Sequence, residues 1–252
     1  MADANERHDL EGLPAAYAAW RESRLGQITD ALEQELVLDL VGLPAGLRVL
    51  DVGCGDGILA VELSRRGARA VGVDASRQMI GAARQRAERF GCDASFQVAR
   101  VETLPFEDNC FDVVLAITVL CFVDEAAVAL KEMSRVLKPG GRLILGEFGR
   151  YSSWAAVRRI KGWLGSAVWG RARFRGATEL KQLANEAGLI DISVHGAIFY
   201  PPLGIAARLL EPIDRRIAAY ALTGAAFLAL VATKPREASD ENACPSKQAT
   251  QS

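Results

Sequence analysis

Asp51, Gly53, Gly55, Gly57 and Asp74 carry the spacing in this 252-residue chain that can do chemistry. In "RVLDVGCGDGILA", residues 48–60, an apolar run with one internal carboxylate passes into glycines at every second position. Asp74 closes the next apolar run, seventeen residues after Gly57. Glycines at such a turn open positive φ and let a ligand approach where a Cβ would stand. A carboxylate at the end of the following strand accepts the ribose hydroxyls of a nucleoside. Together, separated by a strand–helix–strand of the right length, they point to nucleoside binding. The plain alternative is a tight turn followed by a helix cap. Two similar turns are excluded: the dinucleotide fingerprint needs a glycine where Ile58 stands, and no Gly-Lys-Ser/Thr follows to make a P-loop.

Such groups need strands that end at one edge and helices that return the chain. Beyond Gly46, "LRVLDVG", "ARAVGVD", "ASFQVA", "FDVVLAIT", "GRLILGE", "LIDISVHGAIFYPP" and "AAFLALVATKP" each read as strands. "ILAVELSRR", "SRQMIGAARQRAERF", "EAAVALKEMSRVLK" and "ATELKQLANEAG" read as helices among them. Continuous apolar strands alternating with helices predict a parallel sheet covered on both faces, and the last two strands form an antiparallel edge. Ahead of this, Tyr17 to Leu43 is helical, with Ile28, Leu32, Leu36 and Leu40 recurring every fourth residue. "LKPGG" stops the helix before the fifth strand through Pro139 and two glycines. The stretch Ile217–Thr233 is uncharged over seventeen residues, the lower bound for a membrane span. Gly224 divides it, so "AAFLALVA" reads as a short buried strand instead.

A formal net charge of -1 supplies no global field toward nucleic acid or an anionic membrane. The five cysteines, Cys54, Cys92, Cys110, Cys121 and Cys244, are scattered without a C-x-x-C pair. That pattern predicts neither a disulfide framework nor a metal site, and Cys110 and Cys121 read as small core residues. "MADANERHDLEG" lacks the apolar segment of a secretion signal, so a reducing cytoplasm is expected. The polar, aperiodic residues 236–252 are expected to be disordered, and the opening dozen loose.

"VLDVGCGDG", "VGVDAS", "LPFEDNCFDVVLA" and "EMSRVLKPGGRLIL" resemble, in that order and over roughly residues 46–147, the class I S-adenosylmethionine-dependent methyltransferases. The likeness is greatest to their small-molecule branch. It implies a Rossmann-like α/β fold: a mostly parallel seven-stranded sheet, helices on both faces and an antiparallel last strand. It implies S-adenosyl-L-methionine as cofactor and a small organic acceptor, apolar or lipid-like ones included. Residues 1–45 would be an N-terminal helical lid segment and 46–235 the cofactor-binding domain, interrupted by a basic, Trp-rich insertion at 151–175. Carried over by position, the backbone at Gly53, Cys54 and Gly55 would lie against the methionyl moiety, with Asp51 orienting the turn that Gly57 completes. Asp74 would bind the ribose and Ala75 lie beside the adenine, whose edge Val101 and Glu102 would meet. Ile117, ending the fourth strand, would approach the cofactor's amino group. The branch commonly has Asp where this chain has Arg100. Arginine only donates, so a backbone carbonyl or water must accept from the adenine amino group.

Methyl transfer from a sulfonium is an in-line displacement, so the protein mainly aligns the acceptor and excludes water. No catalytic motif is expected, and none is found. Of the two histidines, His8 lies in the opening segment. His195 reads either as a general base or as a sheet histidine. Glu147 reads either as a pocket residue at the carboxyl edge or as a solvated strand end. Tyr17 and Trp20 suit a lid or a buried helix face. Residues 151–175 carry three of the four tryptophans and six basic residues without an acid. Trp154, Val157, Ile160, Leu164 and Val168 fall on one helical stripe, with Trp163 pointing away. The segment reads as a lid on an acceptor pocket, as a peripheral membrane contact, or as a helix packed on the body with solvated arginines. Nucleic acid is not expected as a substrate, because "AITVLCFVDE" is apolar where nucleic-acid enzymes hold a flipped base. Two other readings stand beside methyl transfer: a nucleoside-binding module without activity, and a nicotinamide oxidoreductase that Ile58 disfavours.

Overall fold

The computed structural model describes residues 19–218 and 221–236. His8, Tyr17, Cys244, Ala219, Tyr220 and the tail beyond Arg236 lie outside the described residues. In chain order the elements are α1 (Arg24–Val41), β1 (Arg48–Val52), α2 (Ile58–Arg65), β2 (Arg69–Asp74), α3 (Arg77–Phe90), β3 (Ser95–Val98) and β4 (Phe111–Ile117). A 3-10 turn at Leu120–Phe122 precedes α4 (Ala126–Val136), β5 (Leu137–Phe148), α5 (Ser153–Trp163), α6 (Ala167–Arg171), α7 (Ala177–Glu186), β6 (Ile190–Ala197), α8 (Gly204–Ala218) and β7 (Phe227–Thr233).

The seven strands form one sheet in the order β3-β2-β1-β4-β5-β7-β6. Pairing is parallel from β3 to β5, while β7 runs antiparallel to both β5 and β6. Strand order reverses between β1 and β4, which places a crevice at their carboxyl ends. Central strands are buried on both faces, which is why they read as continuous apolar runs. One face packs Leu130, Met133 and Leu180 of α4 and α7 against Leu50, Val114 and Leu145. The other packs Val37 and Val41 of α1, with Trp154 and Tyr200, against Val49, Val113 and Ile144. A smaller cluster joins Val61, Ile80 and Ala83 of α2 and α3 to Phe96.

Three sequence expectations shift. In α1 the buried positions are Gly26, Thr29, Leu32, Val37 and Val41, so of the fourth-residue series only Leu32 is fully buried. A spacing of four overshoots the 3.6-residue turn, and the contact stripe moves to the 29, 37, 41 side. The helix ahead of β5 does end before "LKPGG", but those residues are drawn into β5: Phe111 pairs with Leu137, and Gly140 N donates to Lys234 O at 2.9 Å. The stripe in α5 is not a buried face. Trp154 is buried, whereas Ile160 is 50 % and Leu164 82 % exposed. Among the described residues no helix is long and apolar enough to cross a membrane, and "AAFLALVA" is the interior strand β7.

Candidate functional site at the carboxyl edge of the sheet

The turn after β1 is built from backbone conformations that side chains resist. Gly53, Gly55 and Gly57 have φ of +68°, +54° and +78°. A Cβ on Gly53 would stand 2.4 Å from Cγ2 of Val119, so only glycine lets the loop after β4 close on this turn. At Gly55 a Cβ would find nothing within 4 Å, leaving open space beside the backbone. Gly57 starts α2 as a left-handed N-cap without a side-chain hydrogen bond.

Two carboxylates frame the turn. Asp74 Oδ2 accepts from Gly55 N at 3.0 Å and Oδ1 from Ser76 N at 2.8 Å. Burial raises its pKa above the usual carboxylate value, and these two N–H donors oppose the rise. Each oxygen retains lone-pair capacity beyond these bonds. Asp51 is 3 % exposed, and its Oδ2 has no hydrogen-bond partner among the described residues. Burial first, and the neighbouring Asp74 charge second, push its pKa to about 7. A left-handed glycine cradle, an open backbone flank and a partnered carboxylate at the next strand end fit a nucleoside-bearing cofactor that presents no phosphate.

The structure places Gly53, Cys54, Gly55 and Gly57 in one turn, with Asp51 in the strand before it, Asp74 bonded to it through Gly55 N, and Cys54 N bonded to Val73 O at 2.9 Å. Ala75 is exposed just past Asp74. Val101 is buried, and Glu102 is held by Arg100 at 3.2 Å. Ile117 ends β4 half-buried. His195 lies apart, on the edge strand β6, three strands from β4, with Ser193 Oγ 3.2 Å from its Nε2. Glu147 is neither a pocket residue nor a solvated strand end, because it is fully buried.

Sequence reasoning missed two supports. Asp56, inside the turn, receives Arg21 at 2.5 Å and Arg86 at 2.6 Å, which ties the segment before α1 and helix α3 to the loop. The carboxylate stood in the motif itself, but no spacing linked it to either arginine. The other is the loop after β4, where Thr118 has φ +55° and its N donates to Gly146 O at 2.6 Å. A β-branched residue in the left-handed region is a strained outlier of the kind found beside active sites.

The methyltransferase domain model matches residues 50–145. A ubiquinone biosynthesis O-methyltransferase of Idiomarina loihiensis is 34% identical over 165 residues, covering 63% of this chain and 68% of that protein. The protein of the same name from Cereibacter sphaeroides is 34% identical over 185 residues, covering 71% of this chain and 75% of that one. Among solved structures, a SAM-dependent methyltransferase of Thermotoga maritima superposes with a TM-score of 0.71 at 26% identity, over 90% of this chain and 98% of that one. The seven-stranded sheet, the glycine turn and these relatives agree: the chain belongs to the class I S-adenosylmethionine-dependent methyltransferases, enzymes that use S-adenosylmethionine to methylate, here, a small-molecule acceptor.

Proposed function

We propose that the turn from Gly53 to Gly57 and the carboxylate of Asp74 form the cofactor site, and that the acceptor is an apolar, ring-bearing molecule methylated on oxygen. The observation that carries the first part is the Gly55 N–Asp74 Oδ2 bond of 3.0 Å, which sets a carboxylate with the chemistry to accept from a ribose beside an open glycine backbone. When bound, S-adenosylmethionine supplies an electrophilic methyl on a sulfonium. Gly53, Cys54 and Gly55 would accommodate the methionyl part along their backbone, with Asp51 orienting the turn and Gly57 starting α2. Asp74 would accept from the ribose, Ala75 flank the adenine, Val101 and Glu102 meet its edge, and Ile117 approach the amino end. The segment ahead of Ser23 would act as the lid, supported by the Arg21–Asp56 pair that fastens it to the turn. No general base is assigned.

The acceptor reading draws on the names of the relatives; a cleft of about 530 Å³ lies largely within the insertion itself, lined by Arg159, Trp163, Trp169 and Phe174 among others, and by no residue of the glycine turn. The insertion 151–175 would act as a lid on the acceptor pocket. At its tip Trp163 and Leu164 are 83 % and 82 % exposed beside Lys161. Such a ridge also suits peripheral contact with an anionic membrane from which an apolar acceptor is drawn. The enzyme works in the cytoplasm on small molecules, not on nucleic acid.

Calorimetry with S-adenosylhomocysteine, then turnover on a panel of phenols followed by mass spectrometry, tests the reading. Binding together with a mass gain of one methyl on a phenolic acceptor supports it, and transfer to amines alone overturns the oxygen assignment. Trp163→Ala should raise the acceptor KM and leave cofactor affinity alone. Flotation with anionic liposomes that persists in high salt, or is unaffected by Lys161→Ala, would count against electrostatic membrane contact.

A further inference from the structure

Glu147 and Arg175 are two buried ionisable side chains that no step of methyl transfer uses. Both hold one residue, Leu120. Glu147, near the end of β5, is 0 % exposed, and its Oε1 accepts from Leu120 N at 2.9 Å. Arg175, which closes the insertion, is 4 % exposed, and its Nη1 donates to Leu120 O at 2.8 Å. The two side chains are 3.8 Å apart, so one peptide N–H and the carbonyl of the same residue are gripped by a single carboxyl–guanidinium pair. Next along the loop, Arg173 N donates to Cys121 O at 2.9 Å. On the preceding side stands strained Thr118, then Val119, whose Cγ2 fills the space denied to a Cβ on Gly53.

We infer that Glu147 and Arg175 are positioning residues: by fixing Leu120 they press Val119 onto Gly53 and set the glycine turn for the cofactor. Burying a guanidinium and a carboxyl costs free energy that a packed apolar pair would not require. What the pair provides is a geometry, since guanidinium and carboxyl each satisfy one side of a peptide that a strained residue precedes. Because Arg175 ends the insertion, the acceptor-side segment and the cofactor turn share this one anchor. The inference rests on the proposed cofactor site.

The test is calorimetric affinity for S-adenosylhomocysteine together with amide hydrogen exchange. Arg175→Met and Glu147→Ala should each weaken binding roughly 2- to 30-fold, the range in which residues off the ligand modulate a site. Glu147→Gln, whose amide oxygen still accepts from Leu120 N, should restore affinity to near the wild-type value. Val119→Ala should also weaken binding although it leaves the pair intact. The double Glu147→Ala/Arg175→Met variant should be no worse than the weaker single one, since both act through one peptide. Amides of Leu120, Gly53 and Gly55 should exchange faster in the weakened variants. Wild-type affinity in Arg175→Met and Val119→Ala, with only a lower melting temperature, would overturn the inference, as would a Gln variant no better than Ala. Should Glu147→Ala fail to fold, Arg175→Met and Val119→Ala decide the same question. If the wild type itself binds no S-adenosylhomocysteine, the cofactor reading is what fails, and the exchange rates still decide whether the pair sets the turn.

Discussion

The edge where β1 and β2 end and the segment from Gly149 to Arg175 are held together by opposite means. At the first, short-range backbone geometry dominates: three left-handed glycines, and a carboxylate bonding to N–H groups two and nineteen residues away. At the second, charge is folded against rings across the insertion. The Arg158 guanidinium lies 3.9 Å from the Phe148 ring centroid, 4.8 Å from that of Trp169 and 5.2 Å from that of Trp154. Such cation–ring contacts gain strength as water is excluded, and the aliphatic stem of the arginine packs as well. The lesson is that a ligand cradle is made by leaving side chains out, whereas a supporting wall is made by fitting them in. Changes at the cradle should therefore cost cofactor affinity, and changes in the buried wall, apart from the Arg175 anchor, stability.

The largest effect is expected in the wall. Trp154 is 5 % exposed, and its Nε1 donates to Tyr200 O at 2.8 Å. Trp154→Ala removes an aromatic side chain from a closed core and should destabilise by about 3–5 kcal/mol. Urea unfolding would measure this, with S-adenosylhomocysteine affinity unchanged for the folded fraction. A large loss of affinity at full stability would break the comparison.

The cradle comes next. Asp74→Ala removes a hydrogen-bonding carboxylate from the turn and should weaken S-adenosylhomocysteine by roughly 1.5–3 kcal/mol, about one to two orders of magnitude. Its melting temperature should stay near the wild-type value. Unchanged affinity by calorimetry would remove Asp74 from the site.

Titration sharpens the contrast at Glu147, where burial pushes the pKa up to about 8 against the opposing charge of Arg175 and the N–H groups of the 119–121 turn. The sign follows from linkage. Below the ordinary glutamate value both folded and unfolded chains hold the proton and the group is neutral in effect. As pH rises from there toward 8, the unfolded chain releases its proton first, so this group lowers stability progressively across that window. Glu147→Gln carries no such penalty. Its melting temperature relative to wild type should therefore rise between about pH 5 and pH 8 and then level off, and a gap independent of pH would show that Glu147 is ionised throughout.

The same contrast explains what could be read in advance. β1 to β5 and the Asp51–Asp74 motif were legible because a two-sided parallel sheet writes continuous apolar runs and a glycine cradle writes glycines. The fate of Glu147 was not legible. A carboxylate at a strand end looks the same in sequence whether water or Arg175, 28 positions on, receives it. For α5 the periodicity was present but its direction was not: the apolar stripe of Ile160 and Leu164 faces outward, and Arg158 turns inward over the rings. Periodicity says which residues share a face, and only tertiary packing says which face is covered.

The smallest expected effect lies at Arg100, which the proposed cofactor site would put at its adenine rim in place of the acidic residue common in the family's small-molecule branch. Its side chain is 67% exposed and reaches Glu102 Oε1 at 3.2 Å. An exposed pair of this kind contributes little to stability, because solvent and salt screen it. Arg100→Asp should therefore leave folding unchanged. It also replaces a donor with an acceptor where an adenine amino group is expected, and it frees Glu102 to accept as well. Two nearby carboxylates repel, but in water-exposed positions that repulsion is screened. S-adenosylhomocysteine affinity should accordingly stay within about twofold of wild type or tighten, in the range of a surface substitution that breaks nothing buried. Competition calorimetry at two salt concentrations separates the outcomes. Tightening that fades with salt would point to charge alone, whereas salt-independent tightening would indicate a direct hydrogen bond to the adenine. A loss beyond tenfold in either salt would mean that Arg100 itself holds the cofactor, and that the rim of this cradle is built from a donor where the branch commonly uses an acceptor.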